Sequence, residues 1–147
     1  MTRNTAEVTR TQLQAYFAFT EVSSLLRHAV EKQLRDAGDL SYVQFQLLAT
    51  LGDSPDGRLR MTDLADRVVY SRSGLTYQAQ VLEGRGLVTR APSPDDERSV
   101  VVALTSAGRD VLGAVFPGHI DALHRLLFSS LTDADIADLA RILQRAA

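Results

Sequence analysis

The chain contains no cysteine. That removes disulfide stapling, thiolate nucleophiles, thiolate metal ligands and thiol-based redox sensing together. Histidine is scarce as well: His28, His119 and His124 are the whole set. His119 and His124 stand five positions apart, about 140° around a helix, so they do not share a face. No HExxH pair, GxSxG elbow or phosphate-cradling glycine loop occurs in the sequence. We therefore expect no catalytic residue, no metal and no cofactor. Long uncharged apolar runs are missing too, and nothing approaches the roughly 18 residues a bilayer-spanning helix requires. The first ten residues are polar and lack the apolar core of a signal peptide. The expectation is a cytoplasmic protein.

A basic excess is the last thing lacking. The net charge is −2, whereas nucleic-acid binders usually carry a positive surplus. Its distribution is uneven, however. Between positions 67 and 92 stand Arg67, Arg72, Arg85 and Arg90 against a single acid, Glu83. Binding to a polyanion follows the charge that faces the phosphates, not the whole-chain sum.

What is present is ordinary globular material: 147 residues with 45% apolar content, enough for one domain with a real core. Leu13, Tyr16, Phe17, Val22, Leu25, Leu26 and Ala29 recur at three- and four-residue steps and predict a helix over residues 9–36. Gly38 suits the left-handed position that ends it. Ser41 and Gln44 have capping-box spacing ahead of Phe45, Leu48 and Leu51. Residues 52–57 read as a surface loop. Thr62 is placed to cap a short helix carrying Leu64, Ala65 and Val68, and Ser71 to cap another that Gly86 ends. Two β-branched stretches, 87–91 and 99–104, flank a Pro- and Asp-rich connector and predict a hairpin. Thr105 begins a long helix that Pro117-Gly118 should kink or break. Thr132 and Asp135 form a last capping-box pair ahead of Ile136, Leu139 and Leu143. The predicted fold class is mainly α with a small β-hairpin wing: a winged helix-turn-helix flanked by terminal helices.

The helix after Ser71 has two faces. Leu75, Ala79 and Leu82 should pack inward. Ser73, Thr76, Tyr77 and Gln80 form a second stripe, polar and free of acids, with Arg72 beside it. Gln pairs with an adenine edge, Thr offers a methyl to thymine, and Arg suits guanine or phosphate. The capped N-terminus, at Ser71, also presents N–H groups to phosphate. The competing reading is a solvent-facing helix side that happens to be polar, although such sides usually carry Lys and Glu. At the hairpin tip, Arg98 could enter an electronegative minor groove with Asp96 orienting it. By charge alone the tip reads as a plain surface loop, because three consecutive acids repel phosphate.

The segment from 61 to 112 resembles the MarR family of bacterial regulators. It has the Leu64-Ala65 helix, the Ser71-x-Ser73 opening and the closing run Leu82-Glu83-x-x-Gly86-Leu87-Val88. The wing signature Asp96-x-Arg98 follows, then Leu104-Thr105-x-x-Gly108. The resemblance implies a sequence-specific DNA-binding transcriptional regulator, a ligand-responsive repressor acting as a homodimer on a pseudo-palindromic operator in double-stranded DNA. It implies that Ser71, Arg72, Ser73, Thr76, Tyr77, Gln80, Asp96 and Arg98 meet DNA, with Asp96 holding Arg98 for the minor groove. It divides the chain, one domain over 1–147, into a winged-helix part at 41–105 and dimerisation helices at 9–37 and 106–147. Leu13, Phe17, Leu126, Leu127, Leu139 and Leu143 would serve the dimer. It also implies a small aromatic or anionic effector, for which Tyr16, His28, Tyr42 and Phe45 are candidate lining residues, although plain packing is the favoured reading of each. Two departures stand out. Tyr77 and Val81 are uncharged where the family commonly has basic residues, so phosphate anchoring is either weaker than usual or supplied by Arg72, Arg85 and Arg90. Glu97 adds an acid to the wing. A winged-helix module for protein–protein contact, without sequence-specific DNA binding, is the alternative; its outer stripe would be acidic or apolar.

Overall fold

Capping signals and apolar periodicity translate into helices wherever both were present. A computed structural model describes residues 7–68 and 70–147. The polar first six residues, part of the stretch read above as lacking a signal-peptide core, lie outside the described residues. The order is α1 (Arg10–Gly38), α2 (Tyr42–Gly52), β1 (Arg58–Arg60), α3 (Met61–Val68), α4 (Arg72–Gly84), β2 (Val88–Pro92), β3 (Val100–Leu104), α5 (Ser106–Leu126) and α6 (Asp133–Ala146). The class is mainly α with a small sheet, as expected. Both capping boxes form: Ser41 with Gln44 at the start of α2, and Thr132 with Asp135 at the start of α6.

The sheet is antiparallel in the order β1-β3-β2. Arg58 faces Ala103 across the first pair, and Val88 faces Leu104 across the second. β2 and β3 are the expected hairpin. β1 is an addition: the segment after Gly52 is not loop throughout, because Leu59 joins the sheet between two outward-facing arginines.

Three further expectations are corrected. The left-handed residue after α1 is Asp39, at φ 51, and not Gly38. Gly38 stays helical, and its missing Cβ leaves room for Val115, whose Cγ1 lies 2.5 Å from where that atom would sit. Thr62 is inside the first turn of α3 and does not cap it, since β1 runs directly into a helix that starts at Met61. α5 is unbroken through Pro117. Gln33 Nε2 donates to the Val115 carbonyl at 3.1 Å, supporting the backbone in the turn that the proline weakens.

Two compact units divide the chain: Met1–Val30 with Asp121–Ala147, and Glu31–Ile120. The second holds the winged-helix core, in which Leu47, Leu48 and Leu51 of α2, Leu64 of α3, Leu75 and Leu82 of α4, and Val102 of β3 are fully buried. Each such side chain contributes about 1.5–3 kcal/mol by leaving water. The first unit is different in kind. Leu13, Phe17, Phe19, Val22, Leu25, Ile142 and Leu143 are all exposed.

A joint at Gly86 and Leu87 helps fix the wing to α4. Gly86, at φ 75, ends the helix in a conformation that L side chains resist. Its carbonyl accepts from the Thr105 hydroxyl at 2.7 Å, and the Leu87 carbonyl accepts from the Thr105 amide at 3.1 Å. Gly108 packs against the same strand start: a Cβ there would stand 2.2 Å from the Leu87 oxygen. The runs Leu82-Glu83-x-x-Gly86-Leu87 and Leu104-Thr105-x-x-Gly108 are thus the two halves of one contact.

Candidate nucleic-acid interface

α4 divides into the two faces its sequence implied. Leu75, Ala79 and Leu82 are wholly buried. Arg72, Ser73, Tyr77 and Gln80 are exposed, Tyr77 to 61%, and Thr76 is half-buried. Ser71 caps the helix, its Oγ accepting from the Gly74 amide at 3.2 Å. The Thr76 hydroxyl donates back to the Arg72 carbonyl at 2.8 Å. That bond spends its donor inside the helix and leaves the methyl as its outward chemistry. Gln78 faces α2, where its Oε1 accepts from Gln44 Nε2 at 3.0 Å. The exposed stripe therefore offers an amide, a phenol, a serine hydroxyl and one guanidinium, with no carboxylate among them.

The wing tip is held by its own polar groups. The Ser93 amide donates to the Ser99 carbonyl at 2.8 Å, and the Ser99 amide to the Asp96 carbonyl at 3.0 Å. Contrary to the expectation above, Asp96 does not grip the Arg98 guanidinium. Its Oδ1 accepts from the Arg98 backbone amide at 3.0 Å, and its Oδ2 from the Ser99 hydroxyl at 3.3 Å. An aspartate is short enough to close a turn on its own backbone. The guanidinium of Arg98 makes no hydrogen bond or ion pair among the described residues.

Two arginines expected at the phosphates are committed elsewhere. Arg85 donates to the carbonyls of Asp39 at 2.7 Å and Gly38 at 3.1 Å, satisfying the C-terminal end of α1. Arg90 is clasped by Glu83: its backbone amide, Nε and Nη2 donate to that carboxylate at 3.1, 3.4 and 3.0 Å. The Arg90 side chain holds the Glu83 carboxyl below the usual carboxylate range, chiefly through this hydrogen bonding. Arg67 reaches the Ser54 hydroxyl at 3.5 Å. The cation that sequence reading overlooked is Arg60. It borders a hollow of about 190 Å³ shared with Thr76 and Arg98, and so connects β1 to the two elements already singled out. Its signal, an Arg-Leu-Arg alternation of only three residues, was too short to read as a strand.

The four candidate effector residues fall two in each unit. Phe45 is core, its ring 4.5 Å from that of His119. Burial pushes the His119 imidazole below its ordinary value, and its Nδ1 is buried without a partner. Tyr42 borders a hollow of about 390 Å³ with Arg35 and Arg85. Tyr16 is exposed on α1 beside Phe17, at 5.5 Å between rings, and His28 is exposed on the same helix. A larger hollow of about 510 Å³ lies between α2 and α5, walled by Leu104, Leu112 and Phe116 with Arg109 at its edge. Among the described residues no cluster of His, Asp or Glu has the arrangement of a metal site. No described helix is long and apolar enough to cross a membrane.

A family model described as the MarR family matches residues 38–99, the span from the end of α1 to the wing tip. The crystal structure of Sco3205, a MarR family transcriptional regulator from Streptomyces coelicolor in complex with DNA, is 31% identical to this chain. It superposes with a TM-score of 0.93 over 99% of this chain and 91% of its own. The chain belongs to the MarR family of transcriptional regulators. AbsC, a second MarR family regulator from Streptomyces coelicolor, is 30% identical with a TM-score of 0.91, over 97% of this chain and 95% of its own. The transcriptional repressor YetL of Bacillus subtilis is 27% identical over 122 residues, 83% of this chain and 72% of YetL. The MarR likeness thus extends through the terminal helices, where the resemblance in sequence was one of order and length only.

Proposed function

We propose that this MarR-family chain is a sequence-specific DNA-binding transcriptional regulator, a ligand-responsive repressor acting in the cytoplasm as a homodimer on a pseudo-palindromic operator. One observation carries the reading: an exposed, acid-free stripe on α4 stands beside a wing whose Arg98 guanidinium is unspent. In this reading Gln80, Tyr77, Ser73 and the Thr76 methyl face base edges, Ser71 and Arg72 meet phosphate, and Arg98 enters the minor groove from a turn that Asp96 closes. The DNA-bound state of a relative 31% identical over nearly the whole chain supports it. Residues 41–105 form the DNA-binding part; 9–37 and 106–147 form the dimerisation helices. The exposed Leu13, Phe17, Leu126 and Leu143 support that division, because apolar side chains in such number call for a partner surface. The hollow between α2 and α5, mostly apolar with Arg109 and Asp53 among its lining residues, suits a small aromatic effector.

The test is a titration with duplex DNA. The protein should bind random duplex at low salt, and bind the intergenic DNA upstream of its own gene more tightly. Arg98→Ala should weaken binding by about 1–3 kcal/mol at matched salt while leaving the thermal midpoint nearly unmoved. Absence of binding to any duplex at low salt would turn the reading toward a protein–protein module. Equal affinity of parent and variant would remove the wing from the interface.

A further inference from the structure

The hollow between β1, α4 and the wing is bordered by three arginines, and they are not equivalent. Arg90 is neutralised by Glu83 through its backbone amide, Nε and Nη2. Arg98 projects from the wing tip. Among the described residues the Arg60 side chain pairs only with Asp95 of the wing, at 3.9 Å, and the two side chains are 46% and 86% exposed. A pair so long and so wet contributes little and is easily exchanged for a better anion.

The position of Arg60 says which anion. With α4 in the major groove and the wing in the neighbouring minor groove, one sugar–phosphate strand must run between them, because that strand is what separates the two grooves. The hollow occupies that interval. Arg60 reaches it from β1, whose pairing with β3 holds the side chain's base in the sheet, opposite Val101. Alternation along β1 puts Leu59 inward and Arg60 outward. With Arg85 and Arg90 committed within the fold, a backbone crossing here meets Arg60 as the cation held only by an exposed, exchangeable partner.

We propose that Arg60 is a DNA-backbone phosphate contact seated between the recognition helix and the wing, and that Asp95 occupies it until a phosphodiester takes its place. This rests on the DNA-binding reading above. Asp95 is then a weak competitor that lowers affinity for every sequence alike, and the wing acids have a role beyond simple repulsion.

The experiment measures dissociation constants for the parent, Arg60→Ala, Arg60→Lys and Asp95→Asn against the upstream intergenic fragment and a random duplex, over a salt series. Arg60→Ala should weaken both duplexes by a similar factor and reduce the salt slope by about one unit per subunit. Arg60→Lys should keep the slope, and Asp95→Asn should tighten both duplexes at low salt. Thermal midpoints of all four proteins establish that folding is unchanged, and the lysine variant keeps the result interpretable if the alanine variant is less stable. A parent that binds neither duplex overturns the DNA-binding reading and the phosphate role with it. A parent that binds while Arg60→Ala keeps its full slope, or loses only the specific fragment, overturns the phosphate role alone.

Discussion

Gln80 and Arg72 share the exposed side of α4 but carry different chemistry to it. An amide discriminates among base edges and holds no charge; a guanidinium near the helix start neutralises phosphate whatever the sequence. Gln80→Ala should therefore lower affinity for the best operator by about 1–3 kcal/mol, with little loss on random duplex and an unchanged salt slope. Arg72→Ala should weaken both duplexes and reduce the slope by about one unit per subunit. Equal losses for Gln80→Ala on both duplexes would take the stripe out of base reading. His119 makes a second statement at this scale. Burial depresses its pKa, so the fold favours the neutral ring packed on Phe45. That stability is complete above the ordinary histidine value, about 6.5, and is lost as pH falls through the lower folded value, because the unfolded chain takes up the proton first. Denaturant midpoints should fall as pH is lowered from neutrality through this window. His119→Phe should flatten that segment of the profile; an unaltered profile would place the titration elsewhere.

Among the elements, the α4–wing joint helps set the spacing of α4 and the wing. A Cβ on Gly108 would collide with the Leu87 oxygen at 2.2 Å and with Leu104 Cδ1 at 2.7 Å. Gly108→Ala should cost about 1–3 kcal/mol, the usual penalty for overfilling a packed site. Gly113 lies in the same helix with nothing within 4 Å of its missing Cβ, so Gly113→Ala should stabilise the protein by about 0.5–1 kcal/mol. Chemical denaturation of both variants checks the contrast. Matching effects from the two would mean that helix propensity, and not the joint, governs position 108. Much at this scale was legible beforehand, because local chemistry decides it: the caps at Ser41, Ser71 and Thr132 each rest on a side chain and an amide a few residues apart. β1 was hidden because its partner β3 is remote in sequence and three residues carry no periodicity. The roles of Arg85 and Arg90 were hidden for the same kind of reason. Charge can be read from sequence, but whether a guanidinium is free depends on tertiary partners, here the end of α1 and Glu83. Asp96 was expected to orient Arg98, and it meets that residue at the backbone amide and not at the guanidinium, a choice of atom that leaves no mark in composition.

For the whole molecule, the central claim is that two copies present two α4 helices and two wings to one operator. The terminal unit supplies the motive: Phe17, Phe19, Leu25 and Ile142 are each more than half exposed, and covering them in a partner interface removes that apolar surface from water. A symmetric pair of recognition helices demands half-sites related by a dyad, with centres about one helical turn, roughly 34–36 Å, apart. The most direct measurement is footprinting of the upstream intergenic DNA, with the number of bound chains determined on the same fragment. Two chains per site and two protected half-sites of inverted sequence at that separation are expected, with the flanking minor grooves protected only when Arg98 is intact. One chain per site, a single protected half-site, or protection spread evenly along the fragment would contradict the claim.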